Sequence, residues 1–104
     1  MELKLSDVKN FIGSISKESN THIKVGGKYL FRTVTMIYTG EVVSIQGLEV
    51  KLKNAAWIAD TGRFSENLVS CEFSEVEMYP NEVVLFMGSF LDVSEIDKLP
   101  TKTK

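Results

Sequence analysis

The sequence predicts a mainly β (α+β) fold, in which one N-terminal helix precedes a small, partly open β-barrel of about five or six strands. Three observations carry this. Apolar residues at helical spacing are confined to the start of the chain, runs rich in Val, Ile, Tyr, Phe and Thr follow from Lys28 onward, and turn-forming pairs punctuate those runs at short intervals. With 104 residues, 43% of them hydrophobic and 25% charged, the chain has the length and composition of one globular domain and not of a disordered segment. That domain is expected over 1–99: a helix over 5–17, a barrel core over 22–88 and a short helix over 91–99, with a mobile tail over 100–104.

The elements follow in order. Val8, Phe11, Ile12 and Ile15 fall at i, i+3, i+4 and i+7, with Ser6 placed to cap the helix they define. The polar run Lys17 to Thr21 ends it, and Gly26-Gly27 marks a turn. Lys28 to Tyr38 reads as one long strand, Thr39-Gly40 as a bend or bulge, and Glu41 to Ile45 as the next strand. After a turn at Gln46-Gly47, Leu48, Val50 and Leu52 alternate with Glu49, Lys51 and Lys53, the pattern of a half-buried strand. Asn54 interrupts it, and Ala55 to Ile58 resumes. Ala59 to Arg63 reads as a loop, with Ser65 capping one helical turn through Val69. Cys71 and Phe73 stand in one phase and Val76 and Met78 in the other, so a break is expected near Ser74. Pro80-Asn81 turns the chain into Glu82 to Gly88, whose continuous apolar run predicts a strand covered on both faces. Val93 to Lys98 reads as the short terminal helix, stopped by Pro100.

Composition excludes several functions. No apolar run reaches membrane-spanning length and no secretion signal opens the chain, which predicts a soluble, cytoplasmic protein. One Cys and one His cannot build a closed zinc site. The formal net charge of -2 hides an asymmetry: Lys4 to Lys53 holds eight basic and four acidic residues, whereas Phe64 to Asp97 holds eight acidic residues and no Lys or Arg. The broad positive face of a double-stranded DNA binder is therefore missing, and any anion site belongs to the first half.

Catalysis finds little support. His22 precedes a strand with no serine elbow nearby and reads as a surface histidine, Cys71 beside Glu72 reads as a buried structural thiol, and Glu75 and Glu77 read as solvated charges. No Walker loop, dinucleotide fingerprint or zinc motif is present, so the chain is expected to be a non-enzyme without a cofactor. Binding has more material. Gly26-Gly27-Lys28 offers either backbone amides for an anion or a plain turn. Arg32 with Thr33 could clamp a phosphate, or Arg32 could pair with Glu41 or Glu49 on an adjacent strand. Trp57 could stack a purine or pack in the core, while Arg63 meets phosphate and Asp60 or Asn54 reads a base edge or ribose hydroxyl. Lys53 and Thr61 complete the candidate ligand-binding set.

The small barrel is of SH3-like or Sm-like type, and two resemblances bear on it. Tyr38-Thr39-Gly40-Glu41-Val42-Val43 through Leu48-Glu49-Val50-Lys51-Leu52-Lys53-Asn54-Ala55 is similar to Sm-like proteins in its strand, Gly-bearing bend and second strand ending near Asn. The basic or Asn/Gly signature of the Sm RNA motif would fall in Glu72 to Gly88, which is acidic and apolar here. Arg32-Thr33, the Thr39-Gly40 bend, Lys51 to Ala55, Ile58, Thr61-Gly62, Ser65-Glu66-Asn67-Leu68 and Glu82-Val83-Val84 resemble a widespread group of small bacteriophage proteins. That group looks related to viral sponges, which sequester the cyclic nucleotide signals of anti-phage systems such as Thoeris and CBASS. The resemblance implies a homo-oligomer with ligand sites between subunits, no catalysis, and a cyclic nucleotide second messenger as ligand. Two alternatives stand beside this expectation: an acidic interaction module that binds a host or phage protein, and an Sm-like RNA binder.

Overall fold

The computed structural model describes residues 22–104, and the helix expected over 5–17 lies outside them. Six strands, β1 (Lys28–Thr33), β2 (Ile37–Gln46), β3 (Glu49–Asp60), β4 (Glu75–Met78), β5 (Val83–Phe86) and β6 (Phe90–Glu95), form one antiparallel sheet. The order is β4-β3-β2-β1-β6. The long β3 pairs β2 on one edge and serves two further partners, β5 along Glu49 to Leu52 and β4 along Ala56 to Asp60. One α-helix among the described residues, α1 (Phe64–Ser70), joins β3 to β4.

Several boundaries differ from expectation for identifiable reasons. The run Lys28 to Tyr38 is two strands, because the Thr33 hydroxyl donates to the Met36 carbonyl and accepts from the Met36 amide, both at 3.0 Å, and so closes a turn. Ile37 to Gln46 is in turn one strand that absorbs the Thr39-Gly40 irregularity as a register shift. Leu48, assigned to the buried phase, sits in the turn and is 68% exposed. Ser65 lies inside α1, whose N-cap is Arg63 with no side-chain cap, and Cys71 is its left-handed C-cap at φ 60°, not a strand residue. β5 is not covered on both faces in this chain, since Leu85 is buried but Val84 and Phe86 are exposed. The segment expected as a terminal helix over 91–99 instead carries β6: two helical turns alone are marginal, whereas the open edge of β1 offers a full ladder. The tail, expected to be mobile, runs beside β4, where Val76 and Lys104 exchange backbone hydrogen bonds at 2.7 and 2.9 Å.

The core occupies both sides of the sheet. Adjacent β1 residues face opposite ways, so Tyr29 and Phe31 join Val42, Val50, Leu52, Ala55 and Leu85, whereas Leu30 joins Ala56, Ile58, Cys71, Phe73, Val76 and Ile96 under α1. Thr39 lies between Leu30 and Ala56 in register, fully buried, and its hydroxyl has no hydrogen-bond partner. An unpaired buried hydroxyl is costly, and valine has the same shape without it. Thr39→Val is therefore expected to stabilise the fold by about 1 kcal/mol, read as a higher urea midpoint at unchanged slope.

Candidate functional site

Alternation in β3 turns Val50 and Leu52 inward and leaves Lys51 and Lys53 outside. The register then aligns Lys28 of β1, Glu41 of β2 and Lys53 of β3 in one cross-strand row. Immediately beyond, Glu41 pairs Lys53 but Thr39 pairs Ala56, so two β3 residues, Asn54 and Ala55, face Gly40 alone. This is a β-bulge with Asn54 in the left-handed region at φ 51°, a conformation that Asn tolerates better than most residues. Gly40 is required opposite it, because a Cβ there would stand 2.9 Å from Leu52 Cδ1.

Two concavities meet at Asn54 and Met78. One, of about 630 Å³, is flanked by Lys51, Lys53, Tyr79 and Glu82, and the other, of about 430 Å³, by Lys28, Glu41 and Lys98. Lys53 pairs with Glu41 at 3.2 Å and Lys51 with Glu82 at 3.6 Å, while Lys28 and Lys98 make no ion pair among the described residues. Four lysines against two glutamates leave a local positive excess on a protein that is acidic as a whole. Lys98 arrives through the end of β6, where the Ile96 amide donates to the Lys28 carbonyl at 3.0 Å. Tyr79 is held by its own amide on the Ala55 carbonyl at 2.9 Å, with its ring 6.3 Å from that of Tyr38. Partial burial first and Tyr38 second raise its hydroxyl above the ordinary pKa. The ensemble offers ammonium groups, a phenol and an Asn amide to an anion with a planar group attached.

Of the candidate ligand-binding set read from sequence, only Lys53 and Asn54 enter this site, joined by Lys28 from the Gly26-Gly27-Lys28 turn and by Glu41. Arg32 pairs with neither Glu41 nor Glu49. The β1–β6 register sets it against Asp92, with Nε donating to Oδ1 at 2.7 Å and Nη2 donating to Oδ2, and its guanidinium lies 5.0 Å from the centre of the Phe64 ring. Thr33 is spent on its turn. Trp57 is half-buried on the face of Phe31 and Tyr38, paired in register with Tyr38 and Glu77, and belongs to neither core cluster. Asp60 accepts the Gly62 amide at 2.8 Å and the Thr61 carbonyl accepts the Asn67 amide group, so both shape the loop before α1, where Arg63 is exposed. The Gly26 and Gly27 amides are occupied by the carbonyls of Val42 and Lys24, which makes that segment a turn docked on β2. His22, Glu75 and Glu77 are exposed and Cys71 is buried. Tyr79 and Lys98 escaped the sequence reading, the first hidden behind a Pro-Asn turn and the second brought back only by β6.

The Arg32–Asp92 pair sets an acid response. The hydrogen bond from Arg32, aided by its charge and opposed by desolvation, holds the Asp92 carboxyl below its ordinary value of 3.8. A depressed native pKa contributes stability above the unfolded value and loses it as pH falls through the native one. The urea midpoints of the wild type and Asp92→Asn should therefore differ at neutral pH and converge below about pH 4, the gap being small because both side chains are 42% exposed.

Among the described residues no helix is long and apolar enough to cross a membrane, and no three His, Cys, Asp or Glu side chains gather as a metal site. No protein-family model matches the sequence, and no curated protein matches it. Solved structures do. The chain is similar to a heptameric archaeal Sm protein, with a TM-score of 0.51 and 16% identity over 70% of this chain and 90% of that one. It is also similar to the SmAP1 heptamer of P. aerophilum, with a TM-score of 0.52 and 16% identity over 84% and 95% of the two chains. The fold is thus Sm-like, as the residues from Tyr38 to Ala55 suggested, and the likeness to small bacteriophage proteins finds no counterpart in these comparisons.

Proposed function

We propose that the protein is an Sm-like, non-enzymatic homo-oligomer that binds single-stranded RNA, with the lysine-lined concavities around Asn54 contacting the phosphates. The observation that carries this reading is the positive excess of Lys28, Lys51, Lys53 and Lys98 beside Tyr79 in an otherwise acidic protein. Electrostatic attraction supplies most sequence-independent affinity for a nucleic acid strand, and an aromatic ring supplies stacking. A strand can follow this short basic row, whereas the paired acidic residues elsewhere oppose the broad contact that a duplex needs.

Assembly has its own support. The outer edges of β5 and β6 carry no strand partner among the described residues, and the similar structures are heptamers. Two unlike edges on one chain suit a head-to-tail contact, which closes into a ring when the rotation per subunit allows it. Exposed Val84 and Phe86 beside the β5 edge would be covered by such a neighbour.

Native mass spectrometry and fluorescence anisotropy with a labelled oligoribonucleotide test both parts. The expected result is a closed oligomer and an affinity that falls with salt at a log–log slope of about -0.7 per phosphate contacted. A monomer with salt-independent or absent RNA binding overturns the proposal. Calorimetric heat from a cyclic nucleotide in that case would favour the sponge reading.

A further inference from the structure

Four strands contribute one residue each to the smaller lysine concavity: Lys28 from β1, Glu41 from β2, Asn54 from β3 and Met78 from β4. Its remaining wall is the segment that leaves β6, through Lys98, Leu99, Pro100 and Thr101. That segment is pinned at both ends of the row. At β1 the Ile96 amide donates to the Lys28 carbonyl at 3.0 Å. At β4 the Thr103 hydroxyl accepts the Met78 amide at 3.1 Å, and Lys104 exchanges its two backbone hydrogen bonds with Val76. In the sheet β1 and β4 stand three strand spacings apart, about 14 Å, which the six residues between Ile96 and Thr103 can span. Residues 97–104 thus form a strap that bridges β1 to β4 along the lysine row.

The strap is lightly held. Leu99 packs against the buried cluster of Leu30 and Phe73, and the Lys104 ammonium meets Glu72 at 3.3 Å in an exposed pair of small worth. Concavities flank it on both sides, the lysine site on one and a space of about 260 Å³ against Ser70, Cys71 and Phe73 on the other. We infer that this strap is the closing element of the lysine site: seated on β4, it sets Lys98 opposite Lys28, and a phosphate held between the two lysines keeps it seated. The inference rests on reading the concavity as a phosphate site. Neither lysine forms an ion pair among the described residues, so their like charges oppose seating and a bound anion removes that opposition. By linkage, the strap tightens RNA by the same factor that RNA stabilises the strap. Thr103 and Lys104 are then positioning residues that act through Lys98.

Lys104→Pro tests this, because it removes the amide that donates to Val76, whereas Lys104→Gln removes the charge alone. In anisotropy titrations with a labelled oligoribonucleotide, Lys104→Gln is expected to stay within twofold of the wild type. Lys104→Pro should lose about fivefold in affinity at 0.1 M salt and about 0.7 in salt slope, the loss of one phosphate contact and the same as Lys98→Gln. Adding Lys104→Pro to Lys98→Gln should then cost nothing further. Equal losses in the two Lys104 variants, or additive losses in the double variant, overturn the inference. Hydrogen exchange reads the strap without reference to affinity. The Val76 amide, which donates to the Lys104 carbonyl, should be protected in the wild type, exchange at least tenfold faster in Lys104→Pro and slow further when RNA is added. Free exchange at Val76 in a wild type that binds RNA rejects the strap alone. Protection at Val76 with no RNA binding rejects the RNA reading and, with it, closure by a bound phosphate.

Discussion

Phe31→Ala is expected to cost about 3–5 kcal/mol, the loss typical of deleting a fully buried aromatic ring. Phe31 is 0% exposed and its ring lies near those of Tyr29 and Phe90, so it joins β1 to β6. Tyr29, its β1 neighbour on the same face, belongs to the same buried cluster as Val42, Val50 and Leu52, and a close-packed interior relaxes only partly around a vacancy. A chain of this size has only about 5–15 kcal/mol in total, so a large share of the stability goes with one ring. Urea unfolding followed by tryptophan fluorescence should show the midpoint collapse. A loss under 1 kcal/mol would mean that the Phe31 cluster is not the centre of the fold.

The largest functional effect is expected from Lys28→Gln combined with Lys98→Gln. These two lysines make no ion pair among the described residues, so removing them strips positive charge without orphaning a carboxylate. Losing two phosphate contacts should reduce the salt slope of RNA binding by about 1.4 and the affinity at 0.1 M salt by about 25-fold. Lys51 and Lys53 are worse probes, because neutralising either also strands Glu82 or Glu41. Anisotropy titrations across a salt series measure both quantities. Unchanged slope and affinity in the double variant would remove the Asn54 concavities from the binding surface.

Much of the fold was legible because its signals are local. Lys51 and Lys53 alternating with Val50 and Leu52, a turn at Gly47, which falls at Gly47-Leu48 and so one residue later than read, and the irregularity at Thr39-Gly40 each rest on a few neighbouring residues. What misled the reading was long-range pairing. Val93 to Lys98 has enough apolar character for a helix, and only the vacant edge of β1, about sixty residues away, draws its first half, Val93 to Glu95, into a strand. The same edge redirected Arg32 from the glutamates of its sequence neighbourhood to Asp92. The continuous apolar run in Glu82 to Gly88 implied a covered strand, yet one chain covers one face of β5, which is what an assembling subunit would show. The candidate site was half visible: Lys53 and Asn54 announce themselves at a strand interruption, whereas Tyr79 and Lys98 reach it only through the sheet order.

The bulge at Asn54 also governs how this strand can change length over evolution. Val50 and Leu52 face inward at even positions and Ala55 does so at an odd one, so the strand carries one residue more than regular pairing needs. Anywhere else in β3, gaining or losing one residue would turn every later side chain to the wrong face. Losing Asn54 would only straighten the ladder, leaving Ala56 and Ile58 under α1 and Lys53 outside. Related chains that differ in length should therefore carry their gap at this position, and those lacking the residue should keep the barrel while losing the bend on which the two concavities meet.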